Sequence, residues 1–164
     1  MPTSVRSLAL ARTVTTFPTF TKLVVASADD GRLFTNGAPL FVVDSVAVIV
    51  GTEDLTGQNI ASWLRFTGVA VPRRATIRSA KLNGQIWQER AGGGISGHRT
   101  LLYGNNADDA VAPINTNGFN NLDRTDSSVA WDALSELAND TPIESPDISA
   151  IIQEIVNRGG WKSG

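Results

Sequence analysis

The carboxylates are the residues of this chain whose type could do chemistry. Asp29-Asp30 and Asp108-Asp109 are adjacent pairs of the kind that give calcium its oxygen ligands on loops of β-proteins. Neither pair belongs to a spaced D-x-D-x-D-G loop, so turn formation is their expected role. Glu53, Asp54, Glu89, Glu136, Glu144 and Glu154 are acids from which glycoside cleavage could draw its two carboxyls. No motif sets any two of them at the needed separation. His98 stands between Gly97 and Arg99, after a glycine tip. Nucleophile chemistry would ask for a serine in a strained G-x-S-x-G elbow, and the chain has none, so His98 reads as a loop histidine. Gly92-Gly93-Gly94 lacks the Lys-Ser/Thr and helix start of a phosphate loop. The expectation is a chain that is not an enzyme, with no catalytic residues, no metal and no cofactor.

Two other residue types carry binding potential. Trp63, Trp87, Trp131 and Trp161 could stack on sugars, although each lies in a segment that reads as core. Trp87 fits a core least well, following Gly84-Gln85 and preceding polar residues, and is the candidate glycan contact. The arginines Arg65, Arg73, Arg74, Arg78, Arg90 and Arg99 are spread along the chain and form no stripe for nucleic acid.

Bulk properties agree. The formal net charge is −2, which provides no global basic field for nucleic acid or an anionic membrane surface. With no cysteine, disulfides, thiolate metal sites and cysteine nucleophiles are absent. A chain of 164 residues, 41% of them hydrophobic, suits one domain with a sizeable core. No apolar run approaches the roughly 20 residues of a membrane-spanning helix. The stretch Leu8–Ala11 is too short for a signal peptide and is followed by Arg12, so the expectation is synthesis in the cytosol without export.

The elements that must position these residues read mostly as strands. Leu23–Ala26, Phe41–Val43, Ser45–Val50, Ile60–Val69, Thr76–Glu89, Thr100–Tyr103 and Val129–Trp131 are short, apolar and β-branched, with turn residues between them. In Ile60–Val69, Trp63, Arg65 and Thr67 share one face and Leu64 and Phe66 the other. In Thr76–Glu89, Ile77, Ala80 and Leu82 point inward if one irregularity falls near Ser79. Thr52–Asn59 reads as a polar loop and residues 113–128 as a long surface connection. The end of the chain breaks this pattern. Ile148, Ile151, Ile152, Ile155 and Val156 form one stripe at helical spacing, with Ser145 as cap, Pro146 in the first turn and Gly159-Gly160 as the stop. Trp161 follows and needs a pocket. Residues 1–22 differ again, being threonine-rich, basic through Arg6, Arg12 and Lys22, and free of acidic residues. Phe17 and Phe20 flank Pro18 there, an extended segment with two apolar side chains to dock on a partner.

Four blocks together resemble a known family, the β-sandwich module of phage virion proteins and large bacterial surface proteins related to the DNRLRE domain. They are Val25–Gly31; Trp63–Pro72 with Ala75–Leu82; Val129–Trp131; and Ser145–Ile148 running on through Gln153–Trp161. The resemblance spans residues 24–164, and its last block is the most specific. It implies a jelly-roll-like sandwich with the helix packed across one end, and a structural or ligand-binding use. It supplies no catalytic residues. Such modules continue past Gly-Trp-x-Ser-Gly with further strands, whereas this chain stops at Gly164. The expectation is that a longer natural product or a neighbour provides the missing strand.

The reading is therefore a mainly β protein, an antiparallel jelly-roll-like sandwich over residues 23–164 with one C-terminal amphipathic helix. An extended arm, residues 1–22, would anchor it through Phe17, Pro18 and Phe20. The function expected is that of a phage virion structural protein in head, neck or tail, a homo-oligomer or part of a symmetric assembly, with other virion proteins as partners. The alternative is a carbohydrate-binding or adhesive module using Trp87 and the polar loops 104–109 and 113–128.

Overall fold

The structure is a computed structural model, and it describes residues 17–35, 40–43, 51–53, 58–86, 100–132 and 138–162. It is mainly β, built from small antiparallel sheets with short helices. Strands β1 (Asp30–Phe34), β2 (Leu40–Val43), β3 (Gly51–Glu53) and β4 (Gln58–Leu64) form one sheet in the order β2-β1-β4-β3. β5 (Asn83–Gln85) pairs with β8 (Pro142–Glu144), and β6 (Leu101–Asn105) with β7 (Arg124–Ala130). Two helices complete the set, α1 (Thr116–Asn120) and α2 (Ser149–Asn157).

The first sheet is organised around Trp63. Its cross-strand partner is Gly31, and a Cβ on that glycine would overlap both the indole and the Val42 carbonyl oxygen. A side chain at position 31 would occupy the space of the ring, so Gly31 is dictated by close approach. Trp63 stacks on Phe41 with centroids 4.9 Å apart and meets Phe119 of α1 at 5.6 Å. Leu33, Trp63 and Phe119 are buried together, with Phe41, Ala61 and Leu122 packed around them. α1 thus holds a core residue on this sheet, and the Asn115 side chain caps it by accepting from the Gly118 N–H.

α2 lies against β6 and β7. Ile148, Ile151 and Val156 are buried, while Ile152 and Ile155 are half-buried, so the apolar stripe does face the protein. A Cβ on Gly104 of β6 would come within 2.7 Å of Ile155 and 2.8 Å of Ile151, so a bare backbone at 104 sets how close the helix sits.

Several sequence expectations need correction. A second helix, α1, and the start of β7 occupy residues 113–128, expected as a surface connection. Asn115 is a good N-cap, and the apolar Phe119 and Leu122 recur at i, i+3 beyond it. Thr52–Asn59, expected as a loop, contributes to the β3–β4 pair. No strand forms at Leu23–Ala26; Ser27–Asp29 is a 3₁₀ turn, and Asp30 opens β1. β4 ends at Leu64, although the Arg65 N–H still reaches the Asp29 carbonyl at 2.7 Å. Beyond it no residue up to Leu82 belongs to a strand; Gly68 has φ +63°, and the chain turns at Arg73-Arg74, where Arg74 has φ +62°. Finally, α2 starts at Ser149, not after Ser145. The Ser145 hydroxyl accepts the Leu82 N–H instead, and the Asp147 carboxylate accepts the Ser149 N–H at the helix start.

Candidate functional site

Residues 65–82 are the structural key to the candidate site. They join β4 to β5 without belonging to a strand, and a chain without ladder partners must satisfy its backbone otherwise. The end of the chain does this. Gln153 of α2 accepts the Ile77 N–H at 2.8 Å and donates to the Ala75 carbonyl at 2.9 Å. Asp147 accepts the Ala80 N–H at 3.0 Å, and Ala80 in turn accepts the Ile148 N–H. Ser145 bonds Leu82 through both hydroxyl and backbone. Arg74 donates its N–H to the Val156 carbonyl, and the Arg73 guanidinium donates to the Gly159 carbonyl at 2.6 Å. The Trp161 indole donates to the Val71 carbonyl at 2.9 Å, which is the use found for that residue. The bonded residues 77, 80 and 82 are also the half-buried ones, while Thr76, Arg78, Ser79 and Lys81 are exposed. This is the inward pattern expected from the sequence, with its irregularity near Ser79.

α2 pins the opposite side as well. The Glu154 carboxylate accepts the Asp126 and Ser127 N–H groups of β7 at 2.8 and 3.0 Å. Those bonds, Ser127 first, hold its carboxyl below the usual carboxylate range; Ala80 and then Ser149 do the same for Asp147. Arg158, past the helix end, donates to Asp108 at 2.7 Å and to Asn106 at 2.6 Å.

Several of the candidate acids have structural partners. Asp29 is buried and ion-paired with Arg65 at 2.8 Å, and the same guanidinium reaches the Ala110 carbonyl. Asp108 pairs with Arg158 and Glu144 with Lys81. Asp54, Glu89, Trp87, His98, Gly92–Gly94 and Glu136 lie outside the described residues. Among the described residues no group of three metal-ligating side chains is brought together. Trp63 and Trp131 are buried, in keeping with a core role. Sequence reasoning missed the Asp29–Arg65 pair and the double-ended role of Gln153. The available signal was an arginine and a glutamine placed at inward positions of otherwise apolar segments.

What remains open to a partner is the arm and the space beside it. Phe17 is 53% exposed, Phe20 47%, Leu23 72% and Val25 77%, and Pro18 is exposed too. The Arg78 guanidinium lies over the Phe17 ring at 3.8 Å, and the Lys22 ammonium lies beside Gly68, so the described part of the arm touches residues on both sides of the Arg73-Arg74 turn. An open cleft of about 2040 Å³ adjoins it, walled by Phe17–Lys22, much of residues 65–82, β6 and the apolar stripe of α2. Leu101 and Tyr103 of β6 enter this cleft and are exposed. No family model matches the chain, and neither curated proteins nor solved structures contain a significant match to it.

Proposed function

We propose that this chain is a non-enzymatic structural protein of a phage virion. In this reading residues 23–164 form a jelly-roll-like sandwich, and the arm, residues 1–22, attaches it to neighbouring subunits in head, neck or tail. The observation that carries the reading is the exposed apolar row Phe17, Phe20, Leu23 and Val25 on an extended segment. Large apolar side chains left this exposed close together in sequence are available to a partner. The sequence resemblance to virion sandwich modules adds the setting. An arm of this type exchanges chain entropy for apolar burial, which works best where symmetry repeats the contact.

The test is a particle-assembly system carrying a gene that lacks codons 1–22, beside one with Phe17→Asp and Phe20→Asp. Both products should accumulate in folded form and be absent from purified particles. Incorporation of either at the normal copy number would refute the anchoring role.

A further inference from the structure

We infer that the open cleft receives a polypeptide of a partner protein, an acidic and apolar segment that adds as a strand to the free edge of β6. This goes beyond the arm as an attachment element and stands whether or not that reading does.

Charge gives the first argument. The described walls of the cleft carry six cations, Lys22, Arg65, Arg78, Lys81, Arg124 and Lys162, against three acids, Asp108, Asp109 and Glu144. The whole chain has a formal net charge of −2, so the cleft is a positive region on a negative protein. Ion pairing leaves the surplus in place. Arg65 is neutralised by Asp29, Lys81 by Glu144, and Asp108 by Arg158. Lys22, Arg78, Arg124 and Lys162 are exposed and pair with no described acid. Among the described lining acids, Asp109 alone is left over. Arg78 and Arg124 lie over Phe17 and Tyr103, which sets each charge beside an apolar surface. A positive wall of this kind selects an anionic partner. Residues 1–16 carry Arg6 and Arg12 and no acid, so they have the wrong sign for it.

Size and backbone demand give the second. Small-molecule sites enclose about 300–1,000 Å³, and this cleft holds about 2040 Å³. β6 uses one edge for its ladder with β7, and on the other Leu101–Asn105 bond no described residue. The peptide groups of Phe66–Val69, also on the wall, hydrogen-bond to no described residue. Such groups need donors and acceptors, which a polypeptide supplies and a lipid chain does not. Leu101 and Tyr103 share one face of β6 and are exposed, so they offer apolar contact to alternate side chains of an added strand.

The test is selection of random peptides on the immobilised full-length chain, followed by anisotropy titration of the enriched sequences as labelled synthetic peptides. Those sequences should alternate aliphatic residues with Asp or Glu, and their affinity should fall as salt rises. Arg124→Glu with Lys162→Glu should weaken binding at least about tenfold, and Arg124→Lys with Lys162→Arg should retain it. Lys22→Glu with Lys162→Glu is the second reversal, should the first fail its circular dichroism melt. Amide exchange of Leu101–Asn105 should slow in the complex. A neutral or basic consensus, or no enrichment, overturns the inference. So does binding indifferent to the charge reversals, or binding that leaves β6 exchange unchanged. Phosphatidylglycerol vesicles that bind with the same charge dependence while peptides do not would overturn it in favour of a membrane. Self-association abolished by the same reversals would overturn it in favour of a second copy.

Discussion

Gly31 and Trp63 show how much one residue pair decides in this chain. The indole fills the space a side chain at position 31 would need, and it also joins Phe41 to Phe119. Gly31→Ala should therefore push the ring out of its stack. We expect a loss of about 1–3 kcal/mol, the usual cost of overpacking, read as a lower urea midpoint with an unchanged slope. The same substitution at Gly159, where a Cβ meets nothing, is the control. At this scale the sequence was partly legible. Trp63 and Trp131 could be assigned to the core from their apolar neighbours. That Asp29 would be buried could not, because Asp29-Asp30-Gly31 has the composition of a turn, and its partner Arg65 is remote in sequence. Local chemistry carries no information about such a partner.

The elements were legible where periodicity was long and lost where pairing alone defines them. The stripe from Ile148 to Val156 marks α2, and only its start differs, because Ser145 and Asp147 serve the neighbouring run as well as the helix. β3 and β5 have three residues each, too few to show a pattern. The double service of α2 predicts an acid sensitivity. Ionised Asp147 and Glu154 accept backbone N–H groups in the folded chain and have none in the unfolded one. Their folded values are depressed, so the folded state binds fewer protons. The stability they add is complete above the ordinary values of 3.8 and 4.5, and it is lost as pH falls through the depressed ones. Thermal melts should therefore drop in temperature across that window. Glu154→Gln should melt lower than the parent at neutral pH and show a shallower acid decline; an unchanged acid slope would remove Glu154 from this role.

Among the described residues, one group of buried apolar side chains surrounds Trp63 on the first sheet, and another lies along α2 where it meets β6 and β7. The open cleft borders both. Phe119→Ala should cost about 3–5 kcal/mol and act first on the Trp63 group. Hydrogen exchange should show amides of β1 and β4 losing protection while those of α2 keep theirs; uniform loss would mean a single cooperative core. The bonds from Ser145, Asp147, Gln153 and Trp161 to residues 71–82 span 63 to 90 positions of sequence. On the ribosome, these bonds to residues 71–82 therefore cannot form until residues 145–161 have been synthesised. A nascent or nicked product lacking residues 145–161 would leave that run as bare, sticky backbone, a substrate for chaperones and proteases.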